Sequence, residues 1–141
     1  CVLFQLPPAM AYSEEMLERI TNSVDPGFIN VIEFRNASWW KQAVYRKLKG
    51  HQLVFCGHSY PNLPDAVVVN NPVAYYRFHG VPVLYKSSYK VAFLKEVAQQ
   101  LYASKSKSNF IYFNNTWGTS AIKNALCLKK HLDRLMRNAP A

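Results

Sequence analysis

Five short apolar runs rich in branched and aromatic residues, "VLFQL" at 2–6, "FINVIEF" at 28–34, "HQLVFC" at 51–56, "VAYYRFH" at 73–79 and "FIYFNN" at 110–115, alternate with stretches of helical periodicity. A chain written this way builds βα units around a mainly parallel sheet, because parallel neighbours need a crossover between them. Ser13 is placed to cap the first helix, with Glu14 and Glu15 in its first turn and Leu17 and Ile20 facing inward. Ser38 is the expected cap of the second, whose inner face is Trp40, Ala43, Val44 and Leu48 and whose stop is Gly50. Leu94, Val97, Ala98 and Leu101 carry the spacing of a third helix, and a fourth is expected from about Thr119, with Ile122, Ala125, Leu126, Leu132 and Leu135 as its apolar positions. A loop over 57–72, rich in Pro, Asn and Gly, separates the third and fourth strands and has room for a short run at "AVVV". No repeat or low-complexity linker interrupts the alternation, so residues 1–141 are read as a single domain of the α/β class.

Half of the residues are apolar and 18% are charged, enough for a sizeable core. Lys and Arg exceed Asp and Glu by 17 − 8 = 9, which favours phosphates, nucleic acid or anionic lipid as partners. These basic residues spread over three helical stretches and do not alternate with exposed aromatics, so solvated helix faces are favoured over a nucleic-acid groove. No run approaches the about 20 apolar residues of a membrane helix, and no signal peptide precedes the first strand, so no membrane partner is expected. Cys1, Cys56 and Cys127 form no CxxC pair, which argues for reduced thiols and a cytoplasmic setting.

The polar residues gather where strands run into loops. Side chains alternate along a strand, so Glu33 and Arg35 share one face of the second, and Arg77 and His79 share one face of the fourth. Gln5, Asn114 and Asn115 occupy the same kind of position on the first and fifth. Carboxyl ends of parallel strands are where α/β sheets and β/α barrels bind ligands. Glu33 and His79 are the candidate catalytic acid and base groups. Gln5, Arg35, Arg77, Asn114 and Asn115 are the candidate ligand-binding groups, with the two arginines suited to a phosphate or carboxylate. A purely structural ion-pair network is the competing account. His51, His58, His79 and His131 show no ligand spacing, so no metal is expected. Neither a P-loop nor a dinucleotide fingerprint surrounds Gly118, so no cofactor is expected. The expected function is a pocket for a small anionic, phosphorylated or sugar-like ligand, in an enzyme or a binding protein; the alternative is nucleic-acid binding or processing.

Four ordered motifs sharpen this reading: "LFQLPP" at 3–8, "EFRNASWW" at 33–40, "YYRFHG" at 75–80 and "IYFNNTWGTSAIKNA" at 111–125. Together they closely resemble the YecE-like family, domain of unknown function 72, over essentially the whole chain. The resemblance implies a TIM-barrel-like (β/α) fold, here a partial barrel of about five parallel strands with flanking helices, a polar pocket at the carboxyl ends of the strands, and no established activity. It also implies that the 141 residues are the C-terminal half of a longer domain, since members are about the size of a full barrel, about 250 residues. An oligomer or the missing N-terminal half is then expected to close the barrel. One departure is Asn36, where the family usually has His after "EFR".

Overall fold

Each apolar run pairs in parallel with the next one along the chain. A computed structural model describes residues 1–138. Strands β1 (Val2–Leu6), β2 (Asn30–Phe34), β3 (Val54–Ser59), β4 (Val73–Phe78) and β5 (Ser108–Phe113) form one parallel sheet in chain order. Helices α1 (Glu14–Asn22), α2 (Gln42–Gly50), α3 (Val91–Ala103) and α4 (Ser120–Arg137) connect or follow them. Sequential parallel order with the helices packed on one face is the singly wound arrangement of a partial TIM-barrel-like fold. Among the described residues, no helix is long and apolar enough to cross a membrane.

The helix-covered face holds two separate cores. In the first, Ile32, Phe34 and Phe55 pack with Leu17, Ile20, Val44 and Leu48 from α1 and α2. In the second, Ala74, Tyr76 and Phe78 meet Leu94, Val97 and Leu101 of α3 and Leu128 of α4. The opposite face carries a smaller apolar group of Val31, Val54, Cys56 and Tyr75. Strand β3 spans both halves: Val54 and Phe55 pair with β2, and Cys56 to Ser59 pair with β4. Before β4 arrives, a side chain takes the place of a neighbouring strand. The Phe55 amide donates to Asn70 Oδ1 and Asn70 Nδ2 donates to the Leu53 carbonyl, both at 2.9 Å. Backbone groups there are satisfied without a strand at "AVVV", which forms none, although Val68 is buried.

Helix α1 follows expectation, with Ser13 Oγ accepting from the Met16 amide at 3.0 Å and Leu17 and Ile20 buried. The second helix does not. Asn36 caps a 3-10 turn over Ala37–Trp39, its Oδ1 accepting from the Ser38 amide at 3.0 Å, and α2 starts only after it. That local Asn bond competes with a Ser38 cap, and the Ser38 hydroxyl accepts from the distant Tyr12 amide instead, at 2.7 Å. Ala43 is consequently exposed, and Trp40 leaves the helix to pack edge-on against Phe55 and His58. The left-handed residue after α2 is Gln52 (φ 58), not Gly50, and β3 begins three residues later than its apolar run. The delay has a bonding cause, because the His51 and Leu53 amides still return to the Leu48 carbonyl. Helix α3 buries its four expected residues. In α4 the buried face is Ala121, Asn124 and Leu128, while Ile122 and Leu126 are each 64% exposed. A buried amide sets that rotation: Asn124 Oδ1 accepts from the Tyr89 amide and from Asn115 Nδ2, so its face must turn inward.

Candidate functional site

Glu33 sits on the helix-free face of β2 and is fully buried. Gln5 of β1 lies beside it in register, and Arg35 follows one residue past the end of its own strand. Arg77 comes from the last turn of pleat in β4, and His79 stands just beyond it. These five residues converge. Arg35 Nε donates to Glu33 Oε1 at 3.0 Å and Arg77 Nη1 to Oε2 at 2.6 Å. His79 Nε2 lies 3.3 Å from Oε1, with both side chains wholly buried. Gln5 Oε1 accepts from Arg35 Nη2 at 2.7 Å and from Arg77 Nη1 at 3.3 Å, tying the two guanidiniums together. The backbone turn at Gly80 (φ 91) holds His79 in place, and a side chain there would lie 3.0 Å from the Val83 carbonyl. Through that turn the Tyr85 amide returns to the His79 carbonyl at 2.7 Å.

The electrostatics follow from this packing. Burial alone would raise the Glu33 carboxyl, but the hydrogen bond and charge of His79, joined by Arg77, hold it well below the usual carboxylate range. Burial works against the Arg35 cation, and Glu33 more than compensates, so Arg35 stays charged. Glu33 is thus an anion with its oxygens occupied, too weak a base to accept a proton near neutrality. His79 is arranged differently. Its Nε2 faces the carboxylate, while its buried Nδ1 has no partner among the described residues. An imidazole held this way by a carboxylate keeps one nitrogen available for proton transfer.

Three neighbours were not among the sequence-derived candidates. Tyr60 lies under the Arg35 guanidinium at 4.6 Å and its ring is 5.4 Å from that of His79. His58 is fully buried on β3, its Nε2 3.0 Å from the Phe34 carbonyl, and burial pushes it down to about 4. Cys56 Sγ is 3.8 Å from Glu33 Oε2, and burial, with the nearby carboxylate, raises its thiol well above the ordinary value. Strand alternation offered the one available signal, since Cys56 and His58 share a face as Arg77 does.

The two asparagines just after β5 play different parts. Asn115 is buried and donates to the Ser87 carbonyl at 3.1 Å and to Asn124 Oδ1 at 2.9 Å, which ties the loop after β4 to α4. Asn114 continues the sheet by its amide, 2.7 Å from the Phe78 carbonyl, and its side chain bonds to none of the cluster residues among the described residues. Asn36 donates to the Pro8 carbonyl at 2.7 Å while it caps the turn after β2. Among the described residues, no three His, Cys, Asp or Glu side chains gather as a metal site.

Solved structures share this architecture. A DUF72 family protein from Thermotoga maritima MSB8 superposes with a TM-score of 0.80 at 28% identity, covering 93% of this chain and 56% of that one. A DUF72 family protein from Enterococcus faecalis V583 gives 0.80 at 21% identity, covering 93% of this chain and 57% of its own, and so shares the fold. The chain therefore spans less than two thirds of the length of these solved relatives. A comparison with curated proteins finds no match. The model of the protein family of unknown function DUF72, the same family as the YecE-like proteins, matches residues 1–141 from end to end, and this chain belongs to that family.

Proposed function

We propose that the carboxyl end of the sheet binds a small anion, phosphorylated or sugar-like, with Arg77 as its principal contact and His79 as the adjacent proton-handling group. One observation carries the reading: Arg77 is anchored to Glu33 and Gln5 through Nη1, and its Nε and Nη2 have no partner among the described residues. A guanidinium with two free donors and a fixed third matches the fork geometry of phosphate and carboxylate. Two guanidiniums share one carboxylate, so an anion meets net positive charge in a partly desolvated setting. Arg35 spends Nε on Glu33 and Nη2 on Gln5, and acts as the clamp that keeps Glu33 ionised. Glu33 in turn orients His79.

Calorimetric titration of the full protein with inorganic phosphate and with glucose 6-phosphate tests this. Arg77→Gln should weaken binding of either by about tenfold or more, the value of one lost charge-assisted contact. Unchanged binding of both in the variant would reduce Arg77 to a structural role. Salt separates the reading from nucleic-acid binding: a pocket with one or two anion contacts weakens little with salt, whereas backbone binding falls steeply.

A further inference from the structure

On the helix-covered side of the same strand ends lies a second polar cluster. Ser59, the last residue of β3, points away from Glu33, because it pairs in register with the core residue Phe78 where His58 pairs with Arg77. Its hydroxyl is completely buried and has no hydrogen-bond partner among the described residues. It forms the floor of an open cleft of about 400 Å³ between the loop after β3 and the loop after β4. Asp65 stands at the exposed mouth of that cleft, and its carboxylate makes no ion pair among the described residues. Burial pushes the Asp65 carboxyl up, against the pull of the nearby Ser59 hydroxyl. Tyr89 lines the cleft too, and its hydroxyl accepts from the Gly80 amide at 2.7 Å, which leaves its own proton to give. Val81 and Pro82 on one loop, and Phe93 stacked on Tyr89 with ring centroids 5.5 Å apart, form the apolar part of the wall, and Ser87, Ser88 and Lys90 complete the lining.

The charges around the cleft decide what it suits. An anion would face Asp65. A cation would face Lys90 and the first turn of α3, whose amides have no side-chain cap. A neutral molecule with several hydroxyls meets neither penalty, since each hydroxyl both donates and accepts. Its donors would go to Asp65, its acceptors to Ser59 and Tyr89, and its C–H face to Phe93 and Pro82. An aromatic and apolar wall with a few convergent polar groups is the general form of a small-ligand site. We infer that this cleft is a binding site for an uncharged polyhydroxyl ligand, a sugar or cyclitol, separate from the Arg77 pocket.

The test is amide NMR of the isotope-labelled full protein, titrated with D-glucose and with myo-inositol, and with glycine and inorganic phosphate as the zwitterionic and anionic contrasts. Glucose or inositol should shift the Ser59, Tyr89 and Phe93 amides saturably, with a dissociation constant of about 10 mM or tighter. Asp65→Asn, a change at the exposed mouth, should weaken that response about tenfold with an unchanged melting temperature. Ser59→Ala is the second variant and should weaken it as well, while Arg77→Gln should leave it intact. Absence of a saturable response to both polyols would overturn the inference, as would responses that survive in both cleft variants. Binding of glycine or phosphate in place of the polyols would also overturn it.

Discussion

Two polar regions share the carboxyl end of this sheet, one on each face, and they differ in how completely their groups are paired. Around Glu33, four donors and acceptors from β1, β2 and β4 close on one another, and the carboxylate is buried only because two guanidiniums and an imidazole meet it. In the other region, the buried Ser59 hydroxyl has no hydrogen-bond partner among the described residues, the Tyr89 hydroxyl keeps its proton to give, and the Asp65 carboxylate makes no ion pair among them. The contrast separates two meanings of a polar residue near a strand end. A paired group maintains the fold, and a spare donor or acceptor marks where something else can bind.

Removing the centre of the paired region should cost most. Glu33→Ala leaves two largely buried guanidiniums without their carboxylate and should lower unfolding stability by about 3–5 kcal/mol in urea titration. A loss below about 1 kcal/mol would place the cluster with exposed ion pairs and erase the contrast. Acid should act next. His58 titrates near 6.5 when unfolded and at about 4 when folded, so stability is whole above pH 6.5 and falls as the pH drops towards 4. The expected loss between pH 7.5 and pH 5 is about 2 kcal/mol, and His58→Gln should flatten that slope. The Glu33 carboxyl, whose folded value lies below 4.5, adds its own loss only under about pH 4.5. A profile that rose between pH 7.5 and 5 would show that His58 is not held neutral.

Smaller effects belong to the open region. Asn124→Ala breaks the bonds that hold the Tyr89 segment and Asn115 to α4, and should cost about 1 kcal/mol or somewhat more by thermal unfolding. Asp65→Asn removes an exposed carboxylate that makes no ion pair among the described residues and should change stability by no more than about 0.5 kcal/mol. A large loss there would mean that Asp65 is structural after all, and would draw the two regions together.

Much of this is legible in the sequence itself. The alternation of apolar runs placed every strand and all four helices, because a period of two and a period of 3.6 need no tertiary information to be distinguished. The same alternation put Glu33 with Arg35 on one face of the second strand and Arg77 with His79 on one face of the fourth, while the sheet register brought the two pairs and Gln5 together. What stayed hidden depends on contacts between distant residues. Ser38 looked like a helix cap until Tyr12, 26 residues away, claimed its hydroxyl. Ile122 and Leu126 looked like a buried stripe until Asn124 turned α4 the other way. Nor does spacing reveal which nitrogen of Arg77 or His79 is left over, since that is decided by Gln5 and Glu33 on two other strands.

The divided pairing of β3 has a mechanical meaning. Its first half grips the block of β1, β2, α1 and α2, its second half grips the block of β4, β5, α3 and α4, and each block has its own core. The join between them is a seam crossed by the β3 backbone near residues 55 and 56 and by the small apolar group of Val31, Val54, Cys56 and Tyr75. Glu33 and Arg35 stand on one side of that seam, Arg77 and His79 on the other, so the ion cluster is its rivet. A molecule that drew Arg77 away from Glu33 would load the seam itself and leave both cores as they are.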